Sequence, residues 1–286
     1  MINYTQHRQR LKYAPVNGGK IAYVDEGEGE VILLVHGIPT SSWLYRHIIL
    51  LLCEKGYRVI APDLLGLGAS DKPGGYEVYS EANQGKRLLE LMQQLQINEW
   101  THVCHDGGGL WTWEMLKQNA TGVKRLVILN TIIYEAGFDP PMRFEPGFIA
   151  KFYTALYKNP LTAGLMINAT LKNGLSKKTK LSKVDKKGYL VPMTEGGNRA
   201  LYYFFSQTCN ALPDDYDDLL RSLNIPARVI WGAHDPMLKW APQAETVQKD
   251  LDIKNEDIIV LEDSSHFIQE EEPERIAELI DSFIKN

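Results

Sequence analysis

The run Trp100-Thr101-His102-Val103-Cys104-His105-Asp106-Gly107-Gly108-Gly109, continuing through Leu110 to Leu116, constrains this chain more than any other stretch. Trp100 to His105 reads as a strand and Leu110 to Leu116 as a helix start, and the glycines between them permit a sharp reversal with close helix packing. With small residues two before and two after Asp106, this is the strand-turn-helix elbow that presents a nucleophile at its tip. The tip carries aspartate where such elbows more often carry serine. A carboxylate is already an anion at neutral pH and needs no base to activate it. It can attack saturated carbon directly. Attack on an ester or amide carbonyl would give only a reactive anhydride, so ordinary esterase and protease chemistry is disfavoured.

Strand and helix signals alternate on both sides of this elbow. Lys20 to Val24 alternates like a half-exposed strand, whereas Val31-Ile32-Leu33-Leu34-Val35 is a continuous apolar run typical of a strand buried on both faces. Helix is expected over Ser42 to Lys55, strand over Tyr57 to Ala61, and helix again over Ser80 to Leu95. Later strands are expected at Val123 to Leu129, Ala227 to Trp231 and Asp257 to Leu261, with a closing helix from Pro273 to Ile284. The pattern predicts an α/β fold, a mostly parallel sheet of eight strands covered by helices, whose ligands gather at the carboxyl ends of the strands. Between about Tyr134 and Leu223 the strand signal stops, and a helical insertion is expected. The division is thus a core of 1–133 and 224–286 with a cap of 134–223.

At 286 residues the chain suits one large core plus one insertion. A net charge of −5 argues against a nucleic-acid surface, and no apolar run approaches the ~20 residues that span a bilayer. The lysines from Lys172 to Lys187 read as a solvated face. Cys53, Cys104 and Cys209 form no CxxC pair, so neither a disulfide framework nor a zinc site is suggested. A soluble cytoplasmic protein, monomer or homodimer, with no cofactor or metal, is expected. Its partners are a small-molecule substrate and water, with no nucleic acid and no membrane.

An aspartate nucleophile is left as an alkyl ester, and hydrolysing that ester requires a base for water. His266, in Leu261-Glu262-Asp263-Ser264-Ser265-His266-Phe267 between the last strand and the last helix, is the best placed of the seven histidines. Asp235, just beyond the strand ending at Trp231-Gly232, is placed to orient that imidazole. Asn130 occupies the other strand end where an acid could stand, and cannot ionise. His36-Gly37-Ile38-Pro39 follows the most buried strand, so the backbone N–H groups of Ile38 and Gly107 can converge on the Asp106 carbonyl oxygen as an oxyanion hole.

Taken with these segments, Trp43-Leu44-Tyr45-Arg46 and Ala61-Pro62-Asp63-Leu64-Leu65-Gly66-Leu67-Gly68-Ala69-Ser70-Asp71-Lys72-Pro73 give a chain that resembles the α/β-hydrolase superfamily, in the clan of haloalkane dehalogenases and epoxide hydrolases. The resemblance covers nearly the whole core. It implies Asp106 as nucleophile, His266 as base and Asp235 as acid, with Asp63 mainly structural. It also exposes departures. Dehalogenases of this kind usually follow the nucleophile with a tryptophan whose indole holds the halide, and here Gly107 stands there. Trp43, Trp111, Trp113 and Trp240 are the indoles left to substitute. Epoxide opening needs phenols from the cap, which offers Tyr153, Tyr157, Tyr189, Tyr202 and Tyr203. If Leu201 sets the register, the family's second tyrosine falls on Phe204; a one-residue slip places it on Tyr203. His36, Trp43, Tyr153, Tyr203 and Trp240 are accordingly named as substrate or leaving-group contacts. Dehalogenase-like action on small apolar substrates is the leading expectation, with epoxide hydrolysis the alternative. A non-catalytic ligand receptor and a Cys104-dependent esterase are the readings from other classes.

Overall fold

The computed structural model describes residues 2–286. Its eight strands are β1 (Lys12–Val16), β2 (Gly19–Glu26), β3 (Val31–Val35), β4 (Arg58–Pro62), β5 (Trp100–Asp106), β6 (Val123–Thr131), β7 (Ala227–Gly232) and β8 (Ile258–Leu261). They lie in one sheet in the order β1-β2-β4-β3-β5-β6-β7-β8. β1 and β2 run antiparallel, β2 meets β4 antiparallel, and the pairs from β4 onward are parallel. The passage from antiparallel edge to parallel centre therefore falls where the change from alternating to continuous apolar sequence puts it.

Successive residues of the central strands feed two separate cores. Leu33, Val35 and Cys104 pack on one face, Ile32, Leu34 and Val103 on the other. That is the period-two alternation of a strand covered on both sides. The helices Arg46–Glu54 and Pro273–Lys285 close one face, Glu81–Gln94 and Gly108–Gln118 the other. The sequence reading did not include the helices Tyr4–Arg10, Ala244–Asp250 and Ile268–Glu271, nor the edge strand β1, whose proline suits an edge.

Between β6 and β7 the regular elements of the described residues are helices, principally Phe148–Ala155, Pro160–Gly174, Lys183–Pro192, Asn198–Tyr203 and Tyr216–Ser222, joined by loops. This segment lies over the carboxyl edge of the parallel strands, where the cavity above Asp106 is walled by Tyr157, Thr170, Phe204 and Phe205.

Candidate active site

Asp106 ends β5 with φ 53°, in the left-handed region that a non-glycine residue occupies only at a cost. The turn is held from behind: the hydroxyl of Thr131 and the N–H of Ile132 both donate to the Asp106 carbonyl, at 2.6 and 3.1 Å. Glycine is needed at particular places around it. A Cβ on Gly37 would lie 2.2 Å from Asp106 Oδ1, and one on Gly109 would lie 2.3 Å from Thr131 Oγ1. Gly107 is different, since its Cβ would sit at an ordinary 3.7 Å from both Phe204 and Trp111.

The elbow aims the carboxylate at two groups. The Ile38 N–H donates to Asp106 Oδ1 at 2.6 Å, and His266 Nε2 lies 3.6 Å from Oδ2. On its other side His266 Nδ1 meets Asp235 Oδ2 at 2.8 Å. The remaining Asp235 oxygen accepts from the N–H groups of Met237 and Leu238, both at 2.9 Å. All three side chains are buried. The structure thus brings Asp106, His266 and Asp235 into one chain of contacts, with Ile38 beside it.

Asn130 enters this arrangement by a route that sequence did not reveal. At φ 24° and next to last in β6, it donates to Asp235 Oδ2 at 2.8 Å and accepts from the Gly232 N–H at 2.8 Å. It therefore fixes the acid rather than replacing it. His105 is a second such residue. Its Nε2 lies 2.9 Å from the His266 carbonyl, its ring centroid 4.6 Å from that of His266, and burial holds it neutral, well below the usual imidazole pKa. Gly174, at the end of the helix Pro160–Gly174, accepts from the N–H groups of both His266 and Phe267 at 3.0 Å. No local sequence pattern points to either.

Electrostatics sort the titrating groups. Burial raises the Asp106 pKa above the usual carboxylate value, opposed by His266 and by the N–H groups of Gly107 and Ile38. For His266, burial pulls down, but the charge and hydrogen bond of Asp235, with Asp106 behind them, outweigh it and leave the imidazole above its ordinary value. The Cys104 thiol, buried in β5, is pushed up to about 12, which removes it as a nucleophile.

The cavity above Asp106 is small, about 50 Å³, and its walls are mainly apolar. Ile38, Phe138, Met142, Phe204 and Leu238 contribute, and Tyr157 and Thr170 bring hydroxyls. Of the residues named from sequence as substrate contacts, five lie elsewhere. His36 is consumed by structure, its Nδ1 meeting the Gly37 carbonyl and its Nε2 accepting from the Leu64 N–H. Trp43 is fully buried, with its indole N–H on the Asp185 carbonyl. Tyr153 packs on Phe144, and Trp240 on Trp231. Tyr203 faces a neighbouring crevice with Glu81 and Trp111, while Phe204 takes the position over Asp106. The slip that would have placed Tyr203 over Asp106 does not occur, and Tyr157 is the phenol that lines the cavity. Asp63 accepts from the N–H groups of Ser42 and Ala69, at 2.8 and 2.7 Å, and braces two loops.

A family model described as the alpha/beta hydrolase fold matches residues 30–273. A haloalkane dehalogenase from Mycolicibacterium paratuberculosis is 31% identical over 91% of this chain and 86% of its own length. A cis-3-alkyl-4-alkyloxetan-2-one decarboxylase from Shewanella oneidensis is 30% identical over 77% of this chain and 71% of its own. Among solved structures, an epoxide hydrolase from Vigna radiata superposes with a TM-score of 0.75 at 23% identity, covering 97% of this chain and 98% of that one. With its sheet order, its elbow and a family match over most of its length, the chain belongs to the alpha/beta hydrolase family.

Proposed function

We propose that this protein is a hydrolase in which Asp106 displaces a leaving group from saturated carbon and is left as an alkyl ester. Water activated by His266 then attacks the carbonyl carbon of that ester. Asp235 orients the imidazole and stabilises its cation, and the N–H groups of Ile38 and Gly107 take the negative charge that develops on the carbonyl oxygen. The single observation that carries this reading is the chain Ile38–Asp106–His266–Asp235, with contacts of 2.6, 3.6 and 2.8 Å in an enclosed apolar setting. The first step also prepares the second. Esterification removes the negative charge of Asp106, which is one of the influences raising the His266 pKa, so the shift is towards the neutral imidazole that acts as base.

The helical segment between β6 and β7 acts as a cap over this site, and the substrate is small and apolar. A cavity of about 50 Å³ is far below the roughly 300–1,000 Å³ of ordinary ligand pockets, so larger substrates require the cap to move. Dehalogenase-like action is the preferred form, in keeping with the mycobacterial relative. Trp111 lies one helical turn beyond Gly107, its ring edge 3.7 Å from where a side chain at 107 would begin. Its ring belongs to the neighbouring crevice, and Trp111 is the indole nearest the elbow and the first candidate for a leaving-group contact.

Tyr157 favours a second form. It is a buried phenol on the cavity wall, suited to protonating the alkoxide released from an epoxide. Bromoalkanes assayed for halide and styrene-oxide-type epoxides assayed for diol separate the two. A single turnover in heavy-oxygen water tests the shared mechanism, since water attacks the ester carbonyl: label must appear in the Asp106 carboxylate, and the product must carry an unlabelled oxygen from it. Label in the product with an unlabelled Asp106 would refute it.

A further inference from the structure

The cap carries an outward surface unlike the rest of the molecule. The helix Phe148–Ala155 is apolar nearly all round: Ala150 and Thr154 face inward, while Phe148, Ile149 and Phe152 are 82%, 70% and 60% exposed. The next helix repeats this, with Leu161 and Leu165 exposed one turn apart and Ile167 and Leu171 buried on its other side. The helix Lys183–Pro192, which packs against it, exposes Val184. Side chains of this size are seldom left in water so fully and so close together in sequence, and a helix hydrophobic on every face implies a second surface that covers it. Charge follows the same segment. Between residues 148 and 190 there are nine lysines and one acid, Asp185, in a chain whose net charge is −5. Lys151, Lys158, Lys172 and Lys183 are exposed beside the apolar side chains on these helices.

We propose that this face of the cap docks on an anionic lipid surface, with the phenylalanine and leucine side chains entering the interface and the lysines meeting the headgroups. Apolar side chains beside a one-signed basic field are the pattern of a segment that lies on a bilayer without crossing it. No helix among the described residues is long and apolar enough to span a membrane. A second copy of the chain is a poorer occupant, because it would bring lysine against lysine across the contact. The sequence expectation of a merely solvated lysine face took no account of the apolar side chains that the fold leaves outside with it.

This surface also backs the cavity. Tyr157, between the first two of these helices, and Thr170, in the second, line the space above Asp106. A substrate dissolved in the bilayer would therefore reach the cap before it reached water. That route rests on the apolar-substrate reading, whereas the docking itself rests on the surface alone.

Co-sedimentation of the intact protein with vesicles tests the docking without any catalytic readout. Binding is expected to an equimolar mixture of phosphatidylcholine and phosphatidylglycerol, and not to phosphatidylcholine alone. Raising the salt should weaken it by roughly tenfold or more. Phe148→Ser with Phe152→Ser should abolish it, and Lys151→Gln with Lys158→Gln should weaken it, with the circular dichroism and thermal melting of each variant unchanged. Failure of the native protein to bind the anionic vesicles would overturn the proposal, as would equal binding to neutral vesicles. So would a dimer in light scattering that the phenylalanine substitutions dissolve. These outcomes need no substrate, so failure of docking and failure of the hydrolase reading remain distinguishable.

Discussion

At the scale of single residues, the site depends on how each charged group is held. His266 lies above its ordinary pKa in the free protein because burial is outweighed by Asp235 and Asp106. The sign then follows. The base must be neutral to act, so kcat falls as pH drops through the His266 pKa of the alkylated enzyme. Since alkylation removes the Asp106 charge, that acid limb should lie at lower pH than the His266 pKa of the free protein measured by NMR. A limb at the same or higher pH contradicts the scheme. Asn130→Ala should remove one of the hydrogen bonds to Asp235, worth about 1.5–3 kcal/mol for a charged partner, and lower kcat by roughly tenfold or more. Asn130→Gln should not restore it, because both amide atoms are engaged at fixed positions, on Asp235 and on the Gly232 N–H. Steady-state kinetics on the two variants decide this. Asp106, His266 and Asp235 were legible in sequence because each stands just after a recognisable strand. Asn130 and His105 were not, because their value lies in partners more than a hundred residues away.

The elements show the same division. β3 and β5 are unmistakable from their unbroken apolar or strand-like runs, and the elbow follows from the glycines after β5. β1 was missed because an edge strand containing Pro15 and exposed Lys12 and Tyr13 has no run or alternation to detect. In the cap, helix was predictable but the facing of its tyrosines was not. Tyr157 rather than Tyr153 lines the cavity, and Phe204 rather than Tyr203. Such facings are set by packing against the core, which leaves no period in the local sequence to tell one tyrosine from the next. The glycines of the elbow make a contrast that tests its geometry. Gly37→Ala drives a methyl to 2.2 Å from the nucleophile's oxygen and should cost at least about 100-fold in kcat/KM, about 2.7 kcal/mol. Gly107→Ala meets only ordinary contacts at 3.7 Å and should stay folded and within roughly threefold of native activity. Equal losses in the two would mean that Gly37 does not face the Asp106 carboxylate in the working protein.

Across the whole molecule, cap and core are joined by a buried charge network as well as by apolar contact. Arg46, in the core helix Arg46–Glu54, pairs with Glu270 at 2.5 Å and with Asp185 of the cap at 3.1 Å, and Tyr189 of the cap also meets Glu270. Arg46 and Glu270 are almost fully shielded from water. Arg46→Ala leaves that carboxylate buried and unpaired, so a loss of about 3–5 kcal/mol is expected from chemical denaturation. Arg46→Met, which fills the space without the charge, should lose no less while Glu270 is intact, and should recover when combined with Glu270→Gln. The mostly parallel sheet could be read from alternating signals along the chain. This network could not, because Arg46 and Glu270 are joined only by the closure of the fold.

The central claim is a covalent ester on Asp106, and trapping it is the most direct test. His266→Gln removes the base while leaving the nucleophile, the Ile38 N–H and the cavity in place. With a substrate that the native protein turns over, the variant should release no more than one equivalent of bromide from a bromoalkane, or no free diol from an epoxide. Mass spectrometry of the peptide carrying Asp106 should then show that residue carrying the added alkyl group, or the hydroxyalkyl group where the substrate is an epoxide. An unmodified Asp106 peptide in a variant that continues to turn over substrate would contradict the account.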